Sequence, residues 1–322
     1  MSRKDDMLDA LTGRAIPEKV PTWEVEFHLW DAFASVPVVF GEAFAALTAA
    51  EQDRALSLNA EGIAEVCEKF NFAGLTLPPG RWESSPGIAA FYWLPPEVHE
   101  AQLRRIKALV GDSLVIIAHT GGVMAMPRAD KYIEFSYKLF DAPEEVLAEM
   151  DRRVRVGRED IRRWVDRGVD ACLCPADLAD NSGPFYNPEQ MDQFVYPGMK
   201  QWAAAVKEAG SISILHTDGN ILPILDGIIN SGIDAVQAID PTAGLDLATV
   251  KAHSAGRICL CGNMDCGMLQ TGTEDQVYEC AAETMRIGKE GGRFVFTTSN
   301  VIEHGAPLEN VLAMFRACRD FA

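Results

Sequence analysis

No CxxC pair, no GxGxxG turn, no GxxxxGK phosphate loop and no GxSxG elbow occur in these 322 residues. The first absence argues against a zinc ribbon or a thioredoxin-type redox centre. The others argue against dinucleotide binding, P-loop chemistry and the serine-hydrolase elbow. No apolar run approaches the length of a membrane span. The opening MSRKDDMLDALTG lacks the apolar core of a secretion signal and reads as a short polar helix. A cytoplasmic protein with no membrane partner is expected. Positive charge is scarce, with 29 Lys and Arg against 47 Asp and Glu and a net charge of -18. That balance implies a solvated acidic surface and disfavours nucleic acid as a partner. The run DRRVRVGREDIRRWVDR, residues 151–167, interleaves acids with its bases and reads as one charged helix face.

What is present is ample apolar material, 48% of residues, in a length suited to a single α/β barrel domain spanning 1–322. The stretch ISILHTDGN, residues 212–220, is the clearest strand. It is apolar at first, ends in His216 and Asp218, and turns through Gly219 into a helical pattern. Seven other stretches read the same way: 20–27, 72–80, 114–120, 169–175, 232–241, 257–265 and 292–300. Helical patterns mostly separate them, at about 52–70, 96–110, 131–140, 142–167, 188–209, 221–230, 245–253, 274–289 and 308–321. Eight such units predict an α/β fold, a (β/α)8 TIM barrel with an N-terminal extension and long loops over the C-terminal mouth. Residues 33–50 read as an apolar excursion over that mouth. Residues 81–96 hold Trp82, Phe91, Tyr92 and Trp93 among prolines, either as interhelical packing or as an aromatic lid.

Barrel enzymes place their chemistry at the C-terminal ends of strands. His216 and Asp218 fall on one strand face there. They can share a metal, or Asp218 can orient His216 as an acid or base. A satisfied buried pair closing the barrel is the structural alternative. Glu24, Glu26, His119, Asp177, Asp240, Asp265 and Asn300 are expected around the same rim as substrate-binding groups. So many acids would repel unless protonated, paired or bound to a cation, which points to a metal or a cationic ligand. His28 and His304 lie near strand ends as further candidates. Cys259 and Cys261 alternate in a strand and are either buried small hydrophobes, the commoner fate, or soft zinc ligands. The same choice applies to Cys172 and Cys174. All eight cysteines read as reduced thiols.

Several stretches carry a family resemblance: HTDGNILPILDGIINSGIDAVQAIDPTAGLDLATVK, CGNMDCGMLQTGTEDQV, GGRFVFTTSN and APLENVLAMF, with DLADNSGPFYNPEQMDQFVYPGMKQW upstream. Together they cover about 168–315, and their order and spacing resemble the uroporphyrinogen decarboxylase superfamily. The resemblance implies a (β/α)8 barrel, often a homodimer. It implies either the decarboxylase of haem synthesis or a corrinoid-dependent methyltransferase. The decarboxylase grips its substrate's carboxylates with an arginine-rich N-terminal signature, where this chain has the acidic VPTWEVEFHLW. Thiol-methylating members bind zinc through HxC and a late cysteine. This chain has His216 and Asp218 there, and Ser299–Asn300 in place of the late cysteine.

The expected activity is methyl transfer between a corrinoid, as methylcobalamin or on a corrinoid protein, and a small acceptor such as tetrahydrofolate or a thiol. The sequence has no DxHxxG pattern, so the corrinoid is expected on a partner. A divalent metal such as zinc is a candidate at His216 and Asp218. The rival readings are a cobalamin-independent decarboxylase or lyase acting on a small carboxylated substrate, and a non-catalytic small-molecule-binding barrel.

Overall fold

The computed structural model describes residues 2–77, 81–82, 91–92 and 94–322. Its centre is a run of short parallel strands: β2 (Gly74–Thr76), β3 (Val115–His119), β4 (Ala171–Pro175), β5 (Ile212–His216), β6 (Ala235–Gln237), β7 (Cys259–Met264) and β8 (Phe294–Thr298). They pair in chain order as one seven-stranded sheet. Both faces are covered, so the strands read as continuous apolar runs.

The sheet closes through the stretch around Thr22, which bridges Phe72 on one edge and Phe296 on the other. Trp23 N donates to Phe296 O at 3.0 Å, Phe296 N to Pro21 O at 2.9 Å, and Ala73 N to Thr22 O at 2.8 Å. This is the predicted first strand, and with it the seven become eight. The chain then bends at Val25. It resumes as β1 (Glu26–Phe27), which pairs parallel with Val301–Ile302 just beyond β8. The bend splits a stretch that the sequence pattern joins. The sixth strand is also shorter than expected, because Ala238 and Ile239 adopt φ of 112° and 47°, outside the extended region.

The longer helices are α1 (Arg3–Thr12), α2 (Ala49–Lys69), α3 (His99–Val110), α4 (Tyr132–Asp141), α5 (Pro143–Val165), α6 (Tyr196–Glu208), α7 (Leu225–Asn230), α8 (Leu247–Ser254), α9 (Glu274–Lys289) and α10 (Leu308–Phe321). The excursion after β1 lies along α2 rather than over the mouth. There Ser35 N and Oγ donate to Glu65, and Val39 exchanges backbone hydrogen bonds with the Asn59 amide. The pairs Arg81–Trp82 and Phe91–Tyr92 form a short antiparallel ladder. Otherwise the expected aromatic loop at 81–96 lies mostly outside the described residues.

Alternation divides the barrel interior into an apolar floor and a polar top. Val115, Ile117, Leu173, Ile214, Ala235, Cys259, Cys261 and Val295 fill the floor. Above them, at the strand ends, stand His119, His216 and Gln237. The N-terminal helix is more than the polar element the sequence suggested. Ser2 and Asp5 form its capping box and Gly13 its left-handed C-cap. One face of it buries Met7, Ala10 and Leu11 against the barrel floor. Gly74 makes room for this, since a Cβ there would lie 2.6 Å from the Met7 sulfur. Met7→Ala empties a fully buried position. It should cost about 2–5 kcal/mol in urea unfolding. A loss under about 0.5 kcal/mol, the usual size of a surface substitution, would mean that α1 does not plug the floor.

Candidate active site

The register of β5 and β6 sets His216 directly beside Gln237. Gln237 is fully buried. Its Nε2 donates to Thr298 O at 3.0 Å, with Thr297 Oγ1 at 3.2 Å and Ser299 O at 3.4 Å. Only the amide nitrogen can face the backbone carbonyls of Thr298 and Ser299, so Oε1 faces His216 and accepts from its Nδ1. The imidazole proton is thereby placed on Nδ1. The Nε2 lone pair of the neutral ring is left for the mouth.

Two carboxylates flank that nitrogen. Asp177 Oδ1 and Asp218 Oδ1 each lie 3.8 Å from His216 Nε2. Both distances exceed hydrogen-bond length. The three ligand atoms lie within 4.8 Å of one another. Ligands held at ~2.1 Å in a tetrahedron stand about 3.4 Å apart, so a small inward movement would let all three reach one divalent ion. The Gln237 bond to Nδ1 is the outer support that metal-binding histidines commonly have. The donors are nitrogen and oxygen, which suits zinc or a harder ion but not a thiolate site.

Asp218 is further held by Asn300, whose Nδ2 donates to Oδ2 at 2.6 Å. Its own N–H donates to Asp177 Oδ1 at 3.0 Å. Burial pushes the Asp218 carboxyl up to about 6; His216 opposes this, and Asp177 and Asp240 add to it. The loops after β4 and β5 are locked together. Leu178 N donates to Thr217 Oγ1 at 3.0 Å, and Asn220 N to Asp180 O at 2.8 Å. Gly219, at φ +82°, has no room for a Cβ, which would lie 2.5 Å from Ala179 O. This close passage sets Asp177 beside Asp218.

Glu26 faces the same space, among histidines. Its carboxylate meets His28 Nε2 at 3.2 Å. Burial raises its pKa, but the His28 hydrogen bond and the fields of His119, His28 and His216 outweigh that and hold it below the ordinary value. Burial lowers the pKa of His119, the Glu26 charge opposes this, and His216 adds to it. The His28 and His304 rings stand 5.3 Å apart. Burial, then His28, lowers the pKa of His304.

Three of the expected rim acids are employed differently. Glu24 is not brought to the mouth: Trp23 and Val25 face the interior, which turns Glu24 to the other side of the wall. There it is 4% exposed and accepts from Thr298 Oγ1 at 2.6 Å and Thr298 N at 3.1 Å. Its neighbours include Cys266 and the Cys318 thiol on α10. Burial pushes its pKa up to about 8. Asp240 caps a turn, accepting from Thr242 N at 2.9 Å and Oγ1 at 2.7 Å, and touches the site through Gly219 N at 3.4 Å. Asp265 caps the short helix Cys266–Thr271. Cys259 and Cys261 face the barrel interior but sit fully buried in its floor, below His216. Cys172 and Cys174 are buried in the layer between sheet and helices. The sequence reading missed Gln237. Its one signal was an amide in an otherwise apolar strand, two residues after Ala235.

The family model described as Uroporphyrinogen decarboxylase (URO-D) matches residues 103–321. A uroporphyrinogen decarboxylase from Coxiella burnetii is 29% identical over 161 residues, 49% of this chain and 42% of that protein. One from an Anaeromyxobacter species is 24% identical over 226 residues, 68% of this chain and 62% of the relative. The chain thus spans less than two thirds of these curated relatives. Among solved structures, a methyltransferase from Methanosarcina mazei superposes with a TM-score of 0.71, covering 100% of this chain and 99% of that one, at 18% identity. At that identity the likeness is one of fold, and it is the barrel described above. No helix among the described residues is long and apolar enough to cross a membrane.

The two raised carboxyls make stability fall as pH rises. An unfolded chain releases both protons near pH 4. The native state keeps them until about 6 at Asp218 and about 8 at Glu24. Across that window the native state binds more protons, so unfolding becomes easier with each step in pH. Glu24→Gln should flatten the fall between pH 6 and 8 in chemical denaturation. Equal slopes in the two proteins would show that Glu24 is ionised throughout.

Proposed function

The chain belongs to the uroporphyrinogen decarboxylase family, and on that premise we propose that it is a methyltransferase, moving a methyl group between a corrinoid and a small acceptor such as tetrahydrofolate or a thiol. The observation that carries this reading is the His216–Asp177–Asp218 cluster, with one imidazole nitrogen turned to the mouth by Gln237. Decarboxylation of a tetrapyrrole with many carboxylates requires a cationic grip. Glu26, Asp177, Asp218 and Asp240 instead gather acids here, and none ion-pairs with a lysine or arginine among the described residues. Such a mouth repels a polyanion. The fold shared with the Methanosarcina mazei methyltransferase is consistent with the methyl-transfer branch.

A bound corrinoid would supply a cobalt centre able to take or give the methyl group, and we propose that a partner protein brings it. A divalent ion, if present, would be held by His216 Nε2, Asp177 and Asp218, and would polarise the acceptor's heteroatom. When no ion occupies the cluster, the same groups manage the proton. Asp218, raised to about 6, can exchange a proton with the acceptor's nitrogen or sulfur near neutral pH. His216 Nε2 can accept one, while Gln237 keeps Nδ1 protonated. Asn300 fixes the Asp218 carboxylate, and Asp177 completes the cradle.

The test is an anaerobic absorbance time course with methylcobalamin and, in separate cuvettes, tetrahydrofolate, a thiol or no acceptor. Loss of the methylcobalamin spectrum with one acceptor would support the reading. His216→Ala and Asp218→Asn should then slow that loss by roughly 100-fold or more. Gln237→Leu should slow it, or weaken divalent-ion binding, by roughly 10–100-fold. Wild-type rates in His216→Ala would remove the cluster from the chemistry. Turnover of a small carboxylated substrate without cobalamin would replace methyl transfer with lyase chemistry.

A further inference from the structure

Two polar atoms beside the mouth are buried without a hydrogen-bond partner among the described residues: His119 Nε2 and Thr120 Oγ1. Thr120 is only 2% exposed. A buried polar group left unpaired is costly, and such groups call for an explanation. Both residues line one cavity of about 330 Å³, together with Gly121, Gly122, Arg152 and Arg153.

The cavity's cationic wall comes from α5, in the stretch that the sequence presents as a plain charged face. The helix approaches the turn after β3 because residue 157 is glycine. A Cβ there would lie 2.3 Å from Gly121 O. Arg152 and Arg153 follow at the cavity edge. Glu149 accepts from Arg152 Nε at 2.6 Å and Nη2 at 2.8 Å, and from Arg153 Nε at 2.8 Å. One carboxylate between two guanidinium groups leaves one positive charge. Arg153 Nη1 also reaches Val123 O at 3.4 Å. The Gly121 N–H is taken by Asp160, so it is not free for a ligand.

We propose that this cavity is an oxyanion subsite, which takes a carboxylate or phosphate group on the substrate whose reacting end lies at His216. The Thr120 hydroxyl would donate to one oxygen, and the remaining guanidinium N–H groups to others. Such charge-assisted bonds are the strong kind, and Arg suits planar recognition of these groups. His119 joins the two regions, since it lines the cavity and interacts with Glu26 and His216. Its position would let a substrate reach from the His216 cluster to Arg153. A single anionic group is compatible with the acidic mouth, because it sits to one side of it. The assignment of a reacting end rests on the function proposed above; the anion site itself does not.

Inorganic phosphate and glutarate, titrated separately at constant ionic strength with chloride, would test the subsite by NMR of the His119 ring. A saturable shift is expected with at least one probe, and the tighter probe names the group. Arg153→Gln and the near-isosteric Thr120→Val should each weaken binding roughly tenfold or more. Glu149→Gln should tighten it, because the competing carboxylate charge is gone. No saturation with either probe, or equal affinities in wild type, Arg153→Gln and Glu149→Gln, would overturn the proposal. The readout needs no turnover. Binding here with no reaction in the methylcobalamin time course would therefore leave the subsite standing.

Discussion

The Gln237 amide can be turned only one way, and the chemistry of the mouth depends on it. Backbone carbonyls of Thr298 and Ser299 surround its nitrogen. Reversing the amide would set oxygen against oxygen at a fully buried position. The fixed orientation presents an acceptor to His216 Nδ1, and that acceptor demands a donor. One tautomer follows, and with it the direction of the free lone pair. The parallel register of β5 and β6 brings the two residues side by side. Immediately after Gln237, the chain takes positive φ at Ala238 and Ile239. Non-glycine residues adopt that conformation at a cost, commonly where a site must be held in one shape. Gly262 accommodates the resulting path, since a Cβ there would lie 2.6 Å from Ala238 O.

A cluster of acids around one imidazole would be unstable if each carboxylate were desolvated alone. The structure divides the load. Asp240 is committed to Thr242 and Gly219, and Asp177 accepts the Asp218 N–H. Glu26 leans on His28. Asp218 accepts from Asn300 yet still carries the strain of burial beside Asp177, and it is the member whose pKa rises toward neutrality. The group least able to stay charged without help is thus one of the two that flank His216 Nε2. Binding a cation and taking up a proton both relieve the same unfavourable charge.

The fold was legible in the sequence because strands buried on both faces leave continuous apolar runs, and the units repeat. His216, Asp218 and Asn300 were legible because each directly follows such a run. Glu24 was misplaced because the alternation argument assumes an unbroken strand, and the bend at Val25 breaks it. Gln237 was passed over because its role exists only across strands, where register sets its neighbour, and one chain's pattern carries no register. Arg152 and Arg153 looked like solvated helix charges for a similar reason. Their significance depends on the passage of Gly157 against Gly121, 36 residues earlier in the chain. The N-terminal helix looked polar because only one of its faces is apolar, and its partner is the barrel floor.

The family match covers residues 103–321. That span supplies His216, Asp218, Asp177, Asn300 and Gln237, together with His119 and the α5 arginines. The preceding residues supply Glu26 and His28, and the stretch at Thr22 that closes the barrel. Closure therefore does two things at once. It completes the wall, and it brings an acidic segment to the edge of a histidine cluster built by the rest of the chain. A cationic segment in that place would convert the same mouth into a receptor for polycarboxylates, with no change in the strands that hold His216. Barrel frameworks are reused in this manner, with the scaffold keeping a reactive group in position while residues at the mouth decide what reaches it. In this chain the segment is acidic, and the arginines that line the proposed subsite lie on α5. That arrangement separates the place that repels many negative charges from the place that can hold one.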